Sequence, residues 1–286
     1  MAARRRLTAG LGAVLLAGAL AGCGGGAGRQ AAATSASPTS PSASPTQAMP
    51  TDRSPRGVLL SALLETQSAR RTKVAYRLGQ DSGAGPLFWL PKTAVQIKRT
   101  TPGVADQLIV MDTVAYQGGD AATAERLGGR HWEKFGGATG SDGHREVPYA
   151  GLIDLLSPVA ALTAATGADS EPQLIGEEKI EDSTAVHYRV ITTAEQYAAS
   201  QAKLSAARRQ GLQSALAPGG STELVLDLWL NDRDQLIQVR RTGTGDRGRA
   251  DDLVQYSDFG GALSVQAPAE ADTTDTGSRS VSPLAR

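Results

Sequence analysis

The fold is decided by the stretch Leu224-Val225-Leu226-Asp227-Leu228-Trp229-Leu230, followed by Asn231–Asp234 and Gln235–Thr242. Its leucines recur at every second position, so Leu224, Leu226 and Leu228 share one face of a strand. Asn231–Asp234 is a run of polar residues with the chemistry of a turn. The stretch therefore predicts a β-hairpin with one apolar face.

Two other segments show the same alternation. Residues 184–192 place Val186, Tyr188 and Val190 on one face, and residues 73–78 place Val74, Tyr76 and Leu78 on one face. With Leu224, Leu226 and Leu228 they give nine candidates for a shared apolar surface. Further strands are predicted at 95–98, 107–113, 114–117, 131–135, 174–180, 253–259 and 263–265, and the apolar segment 87–90 before Pro91 is a strand end or an entry loop. A turn is predicted at 80–85 and a polar, frayed tail from Ala267.

Three segments carry apolar residues at helical spacing: 57–70, 152–167 and 194–216. The second is apolar around most of its circumference, which indicates a buried helix. Because most strands follow one another directly, an antiparallel sheet is favoured over βαβ units. The folded part is therefore expected to be one α+β domain in which two or three helices cover one face of the sheet.

The N-terminus has the form of an export signal. Arg4-Arg5-Arg6 precedes an apolar run, Leu7–Ala19, that is short for a membrane span. Leu20-Ala21-Gly22-Cys23 resembles the lipobox of bacterial lipoproteins, which implies a signal peptide over 1–22 and a diacylglycerol on the Cys23 thiol. The expected location is the extracytoplasmic face of the cell membrane, with Cys23 as the lipid anchor. The alternative is an ordinary signal peptide in which Cys23 is incidental.

Residues 23–55 are expected to combine this anchor with a disordered linker. From Gly24 to Pro55 the chain is composed largely of Gly, Ala, Ser, Thr and Pro, which bury too little surface to offset the entropy of ordering. A coil of this length has a reach of roughly 30 Å. The folded domain is expected over 56–270, and the flexible tail over 271–286.

Charge and cysteine content restrict the class of protein. Removal of Arg4, Arg5 and Arg6 from the 29 basic residues leaves 26 against 29 acidic ones. This balance argues against a nucleic-acid partner, which needs a basic face. The single cysteine is assigned to the anchor, so no disulfide is expected and the domain depends on its core.

The sequence offers little for catalysis or metal binding. His131 and His144 lie on separate segments without the converging ligands that a zinc site needs, and His187 is expected to pack across a strand pair. Glu177-Glu178 and Asp251-Asp252 fit solvated turns. Nucleophile elbows, phosphate loops and zinc-protease motifs are missing from the sequence. We therefore expect no catalytic residues, no metal and no cofactor, and a protein that is not an enzyme.

Several segments resemble the LppX/LprG-type lipoproteins of actinobacteria, which belong with the LolA/LolB-like carriers. The resemblance rests on 174–178, Thr184–Val190, Leu226–Asp232, Tyr256–Gly260 and Val265–Pro268. It implies a curved antiparallel half-barrel with helices packed on its concave face. It also implies an apolar cavity that binds a lipid or an acylated molecule, lined by the nine candidates. The alternative function is a structural or sensory surface lipoprotein with a filled core that binds a protein partner of unknown identity.

Overall fold

Twelve strands form the scaffold of the computed structural model, which describes residues 52–140, 143, 145–217, 223–245, 248–279 and 281. The signal peptide, Cys23 and nearly all of the predicted linker lie outside the described residues. The strands are β1 (Arg71–Leu78), β2 (Asp81–Phe88), β3 (Ala94–Thr101), β4 (Val104–Met111), β5 (Val114–Gly118), β6 (Trp132–Gly137), β7 (Gln173–Ile180), β8 (Ser183–Thr192), β9 (Leu224–Leu230), β10 (Leu236–Gly245), β11 (Gly248–Ser257) and β12 (Thr273–Arg279).

The strands make one open, curved sheet in the order β12-β6-β5-β4-β3-β2-β1-β11-β10-β9-β8-β7. Every neighbouring pair is antiparallel except β12 and β6, which run parallel. β1 lies near the middle, where it pairs with β2 on one side and β11 on the other. The predicted α+β class with an unclosed antiparallel sheet is confirmed.

Six helices accompany the sheet in the described part of the chain: α1 (Pro55–Ala69), α2 (Ala121–Arg126), α3 (Ala150–Leu156), α4 (Pro158–Ala165), α5 (Ala194–Ser200) and α6 (Ala206–Leu216). α1 contacts α4, α4 contacts α5, and α6 contacts both α3 and α5. We call the sheet face under these helices the inner face and the opposite one the outer face. In the described part of the chain, every helix falls short of the length or the apolar character needed to cross a membrane.

The first helix forms where its sequence predicts. Pro55 occupies the first turn, where its missing N–H costs nothing, and the Ser54 hydroxyl accepts a hydrogen bond from the Gly57 N–H at 3.1 Å. The helix ends at Arg70, whose left-handed backbone (φ 63°) turns the chain into β1. Val58, Leu59 and Ala62 are buried in the core.

The other two predicted helices are each divided into two. Pro158 cannot continue α3, and Ser157 caps the new helix α4 through a hydrogen bond from the Ala160 N–H at 3.2 Å. The segment predicted as one helix over 194–216 is interrupted between α5 and α6, where Ser205 caps α6. Gln201 caps the end of α5, and its side-chain amide donates to the Ala160 carbonyl oxygen at 3.0 Å.

The predicted turn at 80–85 is wrong over most of its length, because the turn is confined to Gly79 and Gln80 and residues 81–85 belong to β2. Gly83 faces Tyr76 across the strand pair, and a Cβ there would lie 2.9 Å from the tyrosine ring. A Cβ on Gly85 would lie 1.8 Å from the Gln96 carbonyl oxygen. These glycines therefore permit close packing within a strand rather than a turn.

Two predictions near the C-terminus are also wrong. Residues 263–265 form no strand, because both sides of the preceding strand β11 are already paired with β1 and β10. Thr273–Arg279, expected to be part of a flexible tail, is instead β12. It pairs with β6, and the Lys134 ammonium binds the Asp275 carboxylate at 2.8 Å.

Candidate ligand-binding interior

The nine candidate residues lie on the inner face. Eight of them are buried in one continuous apolar cluster, and Val186 is half-buried against it. Val190 pairs with Leu226, Tyr188 pairs with Leu228, and Val186 pairs with Leu230. The candidates on β1 are separated from these by β10 and β11. Whether the nine residues line an open cavity stays a prediction.

Sequence reasoning predicted the two strands that join these groups, β10 and β11, but did not identify their inward-facing residues as candidates. Val239 on β10 and Val254 on β11 lie side by side and are fully buried, and Tyr256 pairs with Val74. Alternation in the predicted strand 253–259 could have identified Val254 and Tyr256. The inner face thus runs without interruption from β1 to β8.

A guanidinium group is enclosed within this apolar interior. Arg241 on β10 is 1% exposed, and its Nη1 donates to the Leu155 carbonyl oxygen at the end of α3 at 2.8 Å. Its Nε and Nη2 have no hydrogen-bond partner among the described residues. Leu226 and Asp252 are its neighbours in register on β9 and β11.

Two buried tyrosines surround this group. The Tyr256 hydroxyl donates to the Leu156 carbonyl oxygen at 3.1 Å, whereas the Tyr197 hydroxyl has no partner in the described part of the chain. Burial raises the pKa of Tyr256 and of Tyr197, and the positive charge of Arg241 opposes both shifts. Both phenols therefore stay protonated, and the Tyr256 hydroxyl acts as a hydrogen-bond donor.

The helix layer is closed by an ion pair between α3 and α6. The Arg208 Nε donates to the Asp154 carboxylate at 3.2 Å, and the Arg208 Nη2 donates to the second oxygen. Burial raises the pKa of Asp154, while the Arg208 charge opposes the rise. This pair ties α6 to the helix whose carbonyl groups contact Arg241 and Tyr256.

A second polar group lies at the β3–β4 end of the inner face. The Arg99 guanidinium holds the Asp106 carboxylate through Nε at 2.6 Å and Nη2 at 2.9 Å. Gln117 donates to the same carboxylate at 2.9 Å and accepts from the Tyr149 hydroxyl at 2.7 Å. Burial also raises the pKa of the nearby Tyr76 to about 12. Hydrogen bonds satisfy the charges of Arg99 and Asp106, and this group lies at one end of the interior.

The outer face carries a cluster in which His187 contacts Glu178, Asp227 and Trp229. His187 stacks on Trp229 with 4.4 Å between ring centroids, which confirms its predicted packing across a strand pair. Its ring nitrogens lie 2.7 Å from Glu178 and 2.8 Å from Asp227. The prediction of solvated turns for two acidic pairs was wrong. Glu177–Glu178 lies in strand β7, and Asp251–Asp252 lies in strand β11.

The remaining candidates for a site are two further histidines and a groove on the outer face. The His131 backbone N–H donates to the Asp272 carboxylate at 2.9 Å, and the His131 Nδ1 lies 2.8 Å from the same oxygen. His144 lies outside the described residues. Within the described part of the chain, no cluster of three or more His, Cys, Asp or Glu residues is suited to a metal. A groove of about 960 Å³ lies on the outer face, bordered by polar residues such as Lys73, Lys98 and Gln255. Apolar residues such as Ile180, Ile237 and Phe259 also line it.

Comparison with known proteins gives distant relatives. No protein-family model matches the chain. It is 26% identical over 169 residues to an uncharacterized 31.2 kDa protein of Streptomyces griseus, a match that covers 55% of this chain and 52% of that protein. It is 25% identical over 160 residues to a Streptomyces coelicolor protein named as a lipoprotein, covering 53% and 45% respectively. The chain spans about half the length of the curated relatives it matches.

Two solved structures resemble the fold. LprF from Mycobacterium bovis is 16% identical with a TM-score of 0.46, and the match covers 75% of this chain and 97% of LprF. The Mycobacterium tuberculosis lipoprotein LppX is 14% identical with a TM-score of 0.42, covering 73% and 98%. The predicted resemblance to LppX/LprG-type lipoproteins is confirmed to this extent. At these identities it concerns the fold alone.

Proposed function

We propose that this chain is an exported lipoprotein, anchored to the cell membrane through Cys23, that binds a lipid or acylated molecule between its sheet and its helices. The observation that carries the proposal is the inner face from β1 to β8, which is largely apolar and encloses Arg241. Besides α1, which precedes β1, its helical cover consists of short helices inserted between strands: α3 and α4 precede β7, and α5 and α6 follow β8. A cover built this way can move without breaking strand pairing.

The magnitudes are compatible with this function. A buried CH₂ group contributes about 0.8 kcal/mol, so a chain of ~16 carbons gains roughly 12 kcal/mol in either a membrane or a protein interior. A carrier must therefore offer an apolar surface comparable to that of the bilayer. The inner face, with Leu224, Leu226 and Leu228 beside Val239 and Val254, supplies such a surface.

A Leu226→Trp variant tests the proposal, because Leu226 is fully buried at the centre of the inner face. In a binding interior, the indole occupies ligand space. Stability should then be nearly unchanged while binding of a fluorescent acyl probe falls. In a solid core, overpacking should cost about 1–3 kcal/mol. Ile191→Trp, on the outer face and 55% exposed, is the matched control and should change neither quantity.

Urea unfolding and probe titration are measured on the same delipidated chain carrying Cys23→Ser, so that the anchor does not compete for the probe. A large loss of stability in Leu226→Trp, together with no probe binding by the unmutated chain, would exclude the carrier function. Mass spectrometry of an organic extract of the protein before delipidation would identify the natural ligand.

A second candidate is a structural or sensory lipoprotein with a filled core. It is favoured by the exposed apolar residues near the β7 edge of the sheet, Leu174, Ile175 and Ile191, which are 57%, 45% and 55% exposed. An exposed strand edge with apolar side chains is suited to pairing with a protein partner. The Leu226→Trp measurement separates the two candidates, since a filled core predicts destabilisation without ligand competition.

A further inference from the structure

Arg241 differs from the other arginines in the way its guanidinium is used. Three arginines, Arg99, Arg208 and Arg240, each hold a carboxylate with both Nε and Nη2. This edge of the guanidinium matches the two oxygens of a carboxylate or phosphate. In Arg241 the same two nitrogens are buried and have no acceptor among the described residues.

The comparison with Arg240 is direct, because the two residues are adjacent on β10. Arg240 faces outward and binds Asp251 through Nε at 2.8 Å and Nη2 at 2.9 Å. Arg241 faces inward and is 1% exposed, with one hydrogen bond to a backbone carbonyl. Asp252 lies opposite Arg241 and is also buried, but the Nε and Nη2 donors of Arg241 make no hydrogen bond to a described residue. Leaving buried donors without an acceptor is costly.

The surrounding groups do not supply the missing acceptor. Asp252 lies opposite Arg241 in the β10–β11 register, but among the described residues it accepts none of the Arg241 hydrogen bonds. Asp154 is bound by Arg208. Tyr197, on α5, adds a further buried donor whose hydroxyl has no partner in the described part of the chain. The Arg241 charge reaches this phenol, so the two groups are close. The Nε and Nη2 atoms of Arg241 and the Tyr197 hydroxyl are therefore buried near one another, each without a hydrogen bond of ordinary geometry to a described residue.

We infer that the Nε and Nη2 atoms of Arg241, assisted by the Tyr197 hydroxyl, bind the negatively charged carboxylate or phosphate of an acyl ligand held against the inner face. The inference rests on the proposed function and specifies the ligand class as an acidic lipid. The apolar residues around Arg241, such as Leu226 and Val239, would contact the acyl chain. No covalent step is involved.

The test compares an acid with its neutral ester. Binding of cis-parinaric acid and of its methyl ester is measured by fluorescence on the delipidated chain carrying Cys23→Ser. The acid should bind at least about tenfold more tightly than the ester, since a hydrogen bond to a charged group contributes this much. Arg241→Met should abolish the preference by weakening acid binding while leaving ester binding unchanged. Arg240→Met is the matched control and should keep the preference.

Competition separates the sources of the anion. Displacement of the acid by oleic acid or by dioleoyl phosphatidic acid, but not by inorganic phosphate, would support a lipid head group. Displacement by inorganic phosphate alone would overturn the inference. A purely structural arginine would give an Arg241→Met variant that unfolds earlier in urea but keeps the preference for the acid, because loss of the charge opposite Asp252 would then affect folding alone. If Arg241→Met does not fold, Arg241→Lys and Tyr197→Phe should each reduce the preference for the acid.

The remaining outcomes separate the two hypotheses. If neither probe binds to the unmutated chain, the proposed function fails, and the inference fails with it. If both probes bind equally, or if Arg241→Met keeps the preference for the acid, the lipid-binding function stands and the role of Arg241 is disproved.

Discussion

At the scale of single residues, the buried pair Arg99–Asp106 shows how this interior accommodates a charge. Both side chains are almost fully buried, and Gln117 donates to the same carboxylate. Desolvating two charges is expensive, so the pair is stable only while both partners are present. Removing one partner leaves an uncompensated charge.

We expect Asp106→Leu or Arg99→Met alone to lower the free energy of unfolding by about 3–5 kcal/mol, and the double variant to recover most of the loss. Urea unfolding of the two single variants and the double variant measures this. As a control, removal of the exposed Lys92–Asp112 pair by Lys92→Met should cost less than about 1 kcal/mol. Additive losses in the double variant would contradict the coupling.

Glu178 predicts a pH dependence. Hydrogen bonds from the Trp229 indole and from His187 hold the pKa of the Glu178 carboxyl below its ordinary value of 4.5. Because the folded state favours the ionised form, the stability that Glu178 contributes is present above pH 4.5 and is lost as the pH falls through the lowered pKa. Glu178→Gln should therefore be less stable than the unmutated chain at pH 7, with a difference that shrinks in acid.

Unfolding midpoints at pH 7 and at decreasing pH below 4.5 measure this difference. Glu177→Gln, an exposed neighbour on the same strand, is the control and should give a difference that does not change over this range. A constant deficit for Glu178→Gln at every pH would show that its contribution is not linked to ionisation.

Arg241 also shows why part of the site could not be predicted. Strict alternation from Leu236, which is fully buried, would place Arg240 inside and Arg241 outside. A bulge between Leu236 and Gln238 shifts the register by one residue, so Val239 and Arg241 face inward. The bulge has no signature in this sequence, whereas the uninterrupted strands β1, β8 and β9 kept the faces that alternation predicted.

At the scale of elements, local patterns predicted strands that have an apolar face and failed where pairing alone determines structure. The predicted hairpin forms as β9–β10, and the predicted strands 174–180 and 184–192 pair as β7 and β8. β12 has the sequence Thr-Thr-Asp-Thr-Gly-Ser-Arg, without one apolar residue. Backbone pairing with β6 and ionic contacts hold it, and these depend on residues far away in the sequence.

Deleting residues 273–286 tests the contribution of β12. Arg279 binds Glu133 at 3.0 Å and lies 3.6 Å above the Phe135 ring, and Glu133 is nearly buried. The deletion removes this partner and uncovers β6, so we expect a loss of about 2–4 kcal/mol, or roughly 5–10 °C in Tm. Calorimetry measures it. Deleting only residues 282–286, which lie beyond β12, is the control, and equal Tm values for both deletions would contradict the prediction.

At the scale of the whole molecule, lipid attachment at Cys23 can be tested separately from the fold of the domain. If Cys23 carries the lipid, Cys23→Ser should move the protein from the membrane fraction to the medium or leave it as an uncleaved precursor, because the thiol is the acceptor. Fractionation and intact-mass measurement check this. Ser35→Ala in the predicted linker is the control and should stay in the membrane fraction. A Cys23→Ser protein that is still processed at the same bond and partitions into detergent would disprove the lipobox assignment.

The strand order of the whole sheet could not be predicted from local sequence patterns. Within β1–β6 and within β7–β11 each strand pairs with its predecessor in the chain, but nothing in the sequence pattern specifies which strands join the two groups. The pairing of β1 with β11 does so, with Val74 beside Tyr256. The inner face is continuous only because of this contact between distant segments.

That contact has a consequence for synthesis and export. A chain that emerges from its N-terminus first can form the β1–β6 meander early, because each of those strands pairs with its predecessor. β1 then presents an unpaired edge until residues 248–257 have emerged. Such long-range closure is slow and leaves an edge open to incorrect pairing. The strand that pairs with this edge of β1 is β11, in the second half of the chain. Release of a chain that ends before β11 would therefore yield an aggregation-prone half-sheet.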